Sequence, residues 1–334
     1  MSLHKTQLFI FFVVTFTQLL AVESKNKVLC EVIQEGKDVK CEIEHGSFIE
    51  ANSPLPNKTS LKILEFNVDK SGYGGDSPLE KGHVPIMNYL QLLVEQEDID
   101  VIIVSEIARD CPQWGNGVNT VVEIAKLLKA SFIYGVEFYL PSQSSSTSQC
   151  TMGNGIISRY NLENASQIVF KTQMHAYASQ IGNRQSVYGD IQVNNKSFRI
   201  YSAHLESGSD GISGVIKAFG VRRDQMKEIV EHTDQGEKKY EYIIAGDFNS
   251  PLIYLDYSLF DLYFGGFYDS HGSIWFYKRT TCPFSPLDKY YLSVLDYIFA
   301  KNHKNFENPK IYNEQNEFYG LSDHLPISVT YRLM

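Results

Sequence analysis

The amino-acid sequence predicts a layered α/β sandwich in which two β-sheets pack face to face and helices cover their outer sides. Seven runs rich in β-branched and aromatic residues have the length and alternation of strands. Three amphipathic helical patterns lie between some of these runs, an arrangement typical of layered α/β folds. The chain has 334 residues, of which 43% are hydrophobic, so it can bury a large core in one or two domains.

Residues 1–24 are predicted to be a cleaved signal peptide. His4 and Lys5 precede the apolar run 8–14, and small residues suited to cleavage follow near Ala21 and Ser24. The apolar run is short for a membrane-spanning helix, which favours export over the alternative of an uncleaved membrane anchor. We therefore expect a secreted or lumenal protein with no stable membrane insertion after cleavage.

Residues 25–58 are interpreted as a short polar N-terminal extension, and residues 59–334 as the main domain. Within this domain, strands are predicted at 61–68, 100–106, 187–193, 198–205, 242–247, 295–300 and 327–333. Helices are predicted at 83–97, 119–129 and 215–232, where apolar residues recur at helical spacing. Long loops at 66–83, 142–152 and 276–291 are expected to shape one rim of the sandwich.

Polar side chains of related chemistry stand at the ends of these strands. Asp247 and Asn249 are two residues apart, so an extended strand would point both side chains to the same side. Asp296 lies inside an apolar strand, where a carboxylate is costly to bury without a partner such as His324. Each residue alone is explained by a turn, a solvated carboxylate or a core histidine, but together they predict a site. The set comprises Asn67, Glu106, His204, Asp247, Asn249, Asp296, Asp323 and His324.

Seven short motifs follow one another along the chain in this order: LEFNVD, VSEI, GNGIISR, SAHLES, IAGDFNS, LDYIFA and LSDHLPI. This order resembles the endonuclease/exonuclease/phosphatase superfamily, which has the DNase I-like fold, and the resemblance runs from residue 61 to the C-terminus. GDFN and SDH are specific in combination, whereas GNGIISR is weak alone. The resemblance implies a four-layer α/β sandwich with two mostly antiparallel sheets. It also implies divalent-metal-dependent cleavage of a phosphate ester.

The expected metal site is built from oxygen donors. Glu106 is the principal candidate ligand, and Asn67 and Asp323 would help to hold the metal or the phosphate. Such hard ligands suit Mg²⁺, with Mn²⁺ or Ca²⁺ as alternatives, and the ion would neutralise the charge of the ester.

Proton transfer is expected from a histidine–aspartate pair. His324 can accept the proton of the attacking water, with Asp296 fixing its tautomer, and Asp247 is the alternative base. Asp247 and Asn249 would orient the water and the scissile phosphate. His204 would donate to a non-bridging oxygen, where negative charge grows in the transition state.

Two further residues are weaker candidates for binding the substrate phosphate. Asn154, in the GNG segment, is equally well explained as a plain turn residue. Arg184 could hold a phosphate through two hydrogen bonds, but a surface arginine is the simpler explanation.

The substrate is left open among phosphate esters. A tryptophan before GD and an arginine after the asparagine, typical of inositol-polyphosphate 5-phosphatases, are absent, and abasic-site endonucleases usually carry a tyrosine in place of His204. We favour a DNase-type nuclease acting on DNA or RNA, with a sphingomyelinase-like phospholipid phosphodiesterase or a non-catalytic binding protein as alternatives. With a net charge of −9, the chain lacks the strongly basic surface that is typical of nucleic-acid-binding proteins. A bound metal would nevertheless supply local positive charge.

The cysteines and glycosylation sequons fit an exported protein. Cys30 is expected to pair with Cys41, and Cys111 with Cys150, leaving Cys282 free. Sequons begin at Asn57, Asn164 and Asn195. The oligomeric state is left open.

Overall fold

Two β-sheets pack face to face in the computed structural model of the protein, and helices cover their outer sides. The structure describes residues 26–34, 37–50, 58–72, 82–112, 117–139, 150–174, 181–208, 211–235, 240–250, 266–271, 281–282, 294–301, 305–312 and 321–333. The predicted signal peptide, Asn57, residues 73–81 of the loop 66–83, and most of the loops 142–152 and 276–291 lie outside these residues. The predicted α/β sandwich is confirmed.

Strands are numbered in chain order. The first sheet contains nine: β1 (Asn26–Gln34), β2 (Lys37–Ser47), β3 (Ser60–Asn67), β4 (Val101–Arg109), β5 (Ser131–Tyr139), β6 (Thr151–Ser158), β8 (Ile181–Gly182), β14 (Phe306–Ile311) and β15 (Ile327–Arg332). They lie in the order β1-β2-β5-β6-β4-β3-β15-β14, and β8 pairs with β5. Only β3 and β4 run parallel among these pairs in the described chain.

The second sheet contains six strands: β7 (Glu163–Val169), β9 (Gln185–Val193), β10 (Lys196–His204), β11 (Tyr240–Asp247), β12 (Tyr268–Asp269) and β13 (Asp296–Ala300). Their order is β12-β13-β11-β10-β9-β7, with β10 and β11 parallel. Both parallel pairs therefore bring the carboxyl ends of two strands to one edge, where side chains from separate parts of the chain can meet.

Three apolar layers hold the sandwich together. Alternation along β3 sends Ile63 toward the second sheet, where it packs in the cluster that contains Ile200 and Ile243. Leu64 points the other way, into the cluster beneath the helices α1 (His83–Glu97) and α2 (Thr120–Leu128). The third helix, α3 (Gly211–Gln235), covers the second sheet with Met226 and neighbouring side chains. Two sheets and two helical layers make the four layers that the resemblance implies.

Capping residues set both ends of α2. Asn119 precedes α2, and its side-chain oxygen accepts hydrogen bonds from the backbone N–H groups of Val121 and Val122, at 3.1 and 3.4 Å. Lys129 ends α2 in a left-handed conformation. No helix within the described residues has the length and apolar character needed to cross a membrane.

Residues of the predicted N-terminal extension contribute to the first sheet. The hairpin β1–β2 attaches through the pairing of β2 with β5, and a buried ion pair joins Glu42 of β2 to Arg109 of β4 at 2.7 Å. The hairpin register sets Cys30 opposite Cys41. The side chains of these two cysteines lie outside the described part of the chain, so their disulfide stays a prediction.

The other cysteines behave as expected. A disulfide joins Cys111, just after β4, to Cys150, just before β6. Cys282 is free and buried.

Candidate active site

The site lies where strands of the two sheets end side by side. Asn67 is the last residue of β3, and Asp247 is the last residue of β11. The side-chain amide of Asn67 donates a hydrogen bond of 2.9 Å to Asp247 Oδ2 across the gap between the sheets. Within the second sheet, Asp247 is in register with His204 on β10 and Asp296 on β13. The predicted strand-end residues therefore converge.

Glu106 reaches the site because β4 is irregular at this point. The pairing of β4 with β6 shifts between Val104 and Ile107, and Glu106 has a φ of 54° in the left-handed region. A bulge of this kind re-aims a side chain. Glu106 is the one residue of β4 that is not buried, and its side chain is 22% exposed.

The turn after β11 depends on a glycine. Gly246 has a φ of 144°, and a Cβ atom there would lie 1.9 Å from the carbonyl oxygen of Ala203 on β10. The chain then turns at Asn249, with φ 50°, whose backbone N–H donates to Asp247 Oδ1 at 2.7 Å. Asn249 lies beyond the strand, so its side chain is placed by this turn and not by strand alternation. Its amide donates to the carbonyl of Leu205 at 3.0 Å.

His324 and Asp296 form the expected pair. The distance from His324 Nδ1 to Asp296 Oδ2 is 2.7 Å, and both side chains are buried. Ser322 fixes the loop, because its hydroxyl donates to the carbonyl of Asn67 and accepts from the backbone N–H of His324. Burial lowers the pKa of His324, but the charges of Asp296 and Asp247 outweigh burial and hold that pKa well above 6.5.

Asp247 lies between two histidines. Its Oδ2 is 3.7 Å from His204 Nε2 and 3.8 Å from His324 Nε2. Both contacts are longer than hydrogen bonds. Since Asp247 is 1% exposed and accepts hydrogen bonds at both oxygens, its orientation is fixed.

A buried carboxylate that was not predicted supports His204. Glu137 on β5 contacts His204 Nδ1 at 2.9 Å and pairs with Arg184 Nη1 at 2.7 Å. Arg184 is 5% exposed, its guanidinium lies 2.7 Å from the imidazole nitrogens of His204, and it stacks over Phe138. The expectation of a surface arginine is therefore wrong, because an arginine can be buried when a carboxylate pairs with it.

Asn154 is a strand residue, so the plain-turn alternative is wrong. It lies in β6 opposite Gly135 on β5, and its side-chain amide donates to the carbonyl of Gln185 at 3.2 Å. Its side-chain oxygen is buried and has no hydrogen-bond partner among the described residues. Close packing requires a glycine next to Asn154, because a Cβ at Gly153 would lie 1.9 Å from the carbonyl oxygen of Gly135.

Glu106 lies in an acidic group of side chains. Asp69 and Asp323 belong to it, and burial, together with the charges of Asp69 and Glu106, raises the pKa of Asp323 to about 6. The ammonium of Lys70 contacts Asp69 at 2.5 Å, and the charges of Glu106 and Asp323 also raise its pKa against the opposing effect of burial. These carboxylates repel one another and attract the ammonium group of Lys70. Oxygen donors in such an arrangement are of the type that divalent ions bind. Asp69 was in a quoted motif but was not assigned to the site.

The backbone at Asp69 is unusual. Asp69, Lys70 and Ser71 have φ values of 37°, 57° and 59° in the one-turn segment Asp69–Gly72. Three consecutive left-handed residues without glycine are costly, and strain of this kind concentrates at functional sites.

The predicted glycosylation positions differ in their surroundings. Asn195 is exposed in the turn between β9 and β10. Asn164 is also exposed, but its side-chain amide donates to Asp190 at 2.8 Å, a contact that a glycan would have to replace.

Comparison with known proteins gives one family. The family model described as "Endonuclease/Exonuclease/phosphatase family" matches residues 87–324. No curated protein matches the sequence.

Several solved structures share the fold. An endonuclease/exonuclease/phosphatase from Beutenbergia cavernae DSM 12333 has a TM-score of 0.61 and 18% identity, covering 83% of this chain and 72% of that chain. D. rerio TDP2 complexed with single strand DNA product has a TM-score of 0.57 and 17% identity, covering 82% and 100%. The human Nocturnin catalytic domain with bound sulfate anion has a TM-score of 0.56 and 14% identity, covering 82% and 94%.

Proposed function

Because the chain belongs to the endonuclease/exonuclease/phosphatase family, whose members generally hydrolyse phosphoester bonds, we propose that it is a secreted, metal-dependent phosphodiesterase. One observation carries the proposal: oxygen donors suited to a cation stand beside a buried histidine–aspartate pair suited to proton transfer. Hydrolysis of a phosphate ester uses both functions. Secretion is proposed from the sequence of residues 1–24 alone.

The metal ligands are proposed to be Glu106, Asn67 and Asp323, with Asp69 as a further oxygen donor. Enzymes of this family are typically divalent-metal dependent, and oxygen donors suit Mg²⁺, with Mn²⁺ or Ca²⁺ as alternatives. When bound, such an ion would neutralise charge on the phosphate and on the leaving oxygen. Asp323 is 46% exposed at its side chain, so it remains accessible to an ion from solvent.

His324 is the proposed proton acceptor for the attacking water. Asp296 holds Nδ1, which leaves Nε2 directed toward Asp247 and Asp323, at 3.8 and 3.9 Å. Asp247 is the alternative base. Since both of its oxygens already accept hydrogen bonds, we favour for it the task of orienting the water.

His204 and Asn249 are proposed to contact the scissile phosphate. Glu137 contacts Nδ1 of His204, and Arg184 Nη1 lies 2.7 Å from both ring nitrogens, so the orientation of the ring is fixed. Arg184 then acts through His204 and not on the phosphate directly. A fixed donor stabilises developing charge without reorganising during the reaction.

The favoured substrate is a nucleic-acid phosphodiester. One protein of similar fold has been captured with a single strand DNA product, which supports this choice at the level of the fold. The net charge of −9 favours instead a smaller ester or a phospholipid head group, so a phospholipid phosphodiesterase is the second candidate.

The first experiment is nicking of supercoiled plasmid by the purified protein with Mg²⁺, with and without a chelator. We expect chelator-sensitive nicking that is lost in His324→Ala. His232→Ala is the matched control, because His232 lies on α3 and contacts Tyr201 away from the site. Nicking that persists in His324→Ala would contradict the assignment of the base. If the folded wild-type protein does not nick plasmid, sphingomyelin and small phosphodiesters are tested next.

A further inference from the structure

A cysteine thiol that the proposed hydrolysis does not use lies beside the proposed base. Cys282 is free and 6% exposed, and its sulfur belongs to a group with an oxygen of Asp323 and a ring nitrogen of His324. These ligand atoms all lie within 4.8 Å of one another.

The backbone fixes the thiol beside the histidine. Thr281, the preceding residue, accepts a hydrogen bond of 2.7 Å at its carbonyl from the N–H of Leu325, the residue after His324. The hydroxyl of Thr281 accepts from the backbone N–H groups of Leu295 and Asp296, at 2.9 and 3.2 Å. The segment that carries Cys282 is therefore attached both to the histidine loop and to the strand that carries Asp296.

The histidine is already oriented in the way that metal-binding histidines usually are. Asp296 contacts Nδ1 of His324 at 2.7 Å, and this leaves Nε2 available. A carboxylate on one ring nitrogen fixes the tautomer and makes the other nitrogen a better ligand. Sulfur, nitrogen and one carboxylate oxygen form the donor set of a three-ligand zinc site with an open fourth position.

We propose that Cys282, Asp323 and His324 form a binding site for a borderline-soft divalent ion such as Zn²⁺, and that filling this site inhibits the enzyme. The site is distinct in chemistry from the oxygen-donor site around Glu106, since thiolate selects zinc-like ions and Mg²⁺ prefers oxygen. On binding, the zinc–sulfur bond forms as the thiol proton leaves to solvent.

Inhibition follows from the shared residues. With Nε2 of His324 bound to the ion, the imidazole has no lone pair with which to accept the proton of the attacking water. Asp323 is removed from the oxygen-donor site at the same time. The inhibitory effect rests on the proposed function, whereas binding of the ion does not.

Binding is tested by titrating the purified protein with Co²⁺, which replaces zinc and is coloured. We expect a near-ultraviolet sulfur-to-cobalt charge-transfer band in the wild-type protein, displaced by Zn²⁺ and absent in Cys282→Ser and in His324→Ala. Circular dichroism shows whether each variant is folded. A folded wild-type protein without the band, or a band unchanged in Cys282→Ser, overturns the proposal.

Inhibition is tested with the phosphodiesterase assay at fixed Mg²⁺ and increasing Zn²⁺. Cys282→Ser is expected to keep the Mg²⁺-dependent activity. It should need at least about 10-fold more Zn²⁺ for half inhibition, since loss of even an outer-shell partner of a metal ligand costs about 10- to 100-fold in affinity. Equal sensitivity in both proteins overturns the inhibitory role even when the cobalt band is present. If the wild-type protein hydrolyses no tested ester, the proposed function and the inhibitory role fail together, while the cobalt band alone still decides the binding site.

Discussion

Asp247 lies between the two histidines of the site. It accepts from Asn67 and from the backbone of Asn249, and it faces His204 and His324 at less than 4 Å. The Nε2 atoms of both imidazoles therefore lie within 4 Å of the same oxygen of Asp247. This arrangement gives a physical reason for the raised pKa of His324, to which Asp247 contributes after Asp296.

The first residue-scale prediction concerns pH. A base must be neutral to accept a proton, so wild-type activity should rise with pH through a midpoint above 6.5, the ordinary pKa of histidine. Asp296→Asn removes the charge that raises this pKa, and the midpoint should move to lower pH. The maximal rate should also fall, by about 10²–10⁴-fold, because the tautomer is no longer fixed.

The prediction is checked by measuring the hydrolysis rate at saturating metal from about pH 5 to about pH 9, a range that includes the ordinary titration of histidine. An unchanged midpoint in Asp296→Asn would show that another group controls the acid limb. Asp190→Asn is a suitable control, since Asp190 pairs with Arg199 on the second sheet and does not contact His324.

The second residue-scale prediction concerns Lys70, whose ammonium contacts Asp69 beside Glu106 and Asp323. A bound divalent ion must compete with this positive charge. Lys70→Met is expected to tighten Mg²⁺ or Ca²⁺ binding by about two- to fivefold, since a partly exposed ion pair is worth about 0.2–1 kcal/mol. Isothermal calorimetry measures the affinity directly.

Lys126→Met on α2 is the matched control for Lys70, because Lys126 pairs with Glu123 on an exposed helix face. Weaker ion binding in Lys70→Met would mean that the lysine helps to organise the acidic group. The proposed competition would then be rejected.

Sequence reasoning succeeded where a polar residue follows or interrupts a recognised apolar run, and it failed where the strand itself was not recognised. Asn67 is the last residue of β3, Glu106 lies at the bulge inside β4, and His324 lies just before β15, and in each case the polar residue is conspicuous beside an apolar run. Glu137 was missed because it lies within β5, which was not recognised as a strand. Cys282 was expected to be free, but nothing in the local sequence indicates that it lies beside His324.

At the scale of elements, the predicted helices and the seven predicted strands all occur, most of them with shifted ends. The helix predicted at 83–97 has the bounds His83–Glu97, and that predicted at 215–232 is extended to Gly211–Gln235. β6 was missed because TMGNGIIS contains two glycines and an asparagine, which usually indicate a turn. In the fold, Gly153 permits the close approach of β5 and β6.

The bulge in β4 leads to an element-scale prediction. Glu106 has a φ of 54°, a conformation that is costly for a residue with a Cβ and free for glycine. Glu106→Gly is therefore expected to be more stable than Glu106→Ala by about 1 kcal/mol. Both variants should lose metal binding and hydrolysis.

Urea unfolding of the two variants measures this difference. The same pair of substitutions at Glu123, inside α2, should give the opposite order, because glycine is about 1 kcal/mol worse than alanine in a helix. If Ala is the more stable residue at both positions, the left-handed conformation at Glu106 is not a source of strain.

At the scale of the whole molecule, one covalent link closes a long segment of the first sheet. Cys111 and Cys150 are 39 residues apart, and the disulfide connects the end of β4 to the start of β6. Cross-linking a loop of this length is expected to stabilise the fold by about 3–4 kcal/mol through the unfolded chain. Cys111→Ala/Cys150→Ala should lower the free energy of unfolding by that amount.

Denaturant titration with and without a reducing agent checks the prediction. The reducing agent should destabilise the wild-type protein toward the level of the double variant, while Cys282→Ser should behave like the wild type. A double variant as stable as the wild-type protein would contradict this account.

The Asn67–Asp247 hydrogen bond joins the two sheets at the site, and the proposed site residues divide between these sheets. Asn67, Asp69, Glu106 and Asp323 are carried by the first sheet and its loops, whereas His204, Asp247, Asn249 and Asp296 belong to the second. The proposed ligands of the ion therefore lie on the first sheet and its loops, and the proposed contacts to the ester lie on the second sheet. The proposed base, His324, lies in the loop before β15 of the first sheet. We therefore expect substitutions confined to the second sheet to alter the choice of ester more than the choice of ion.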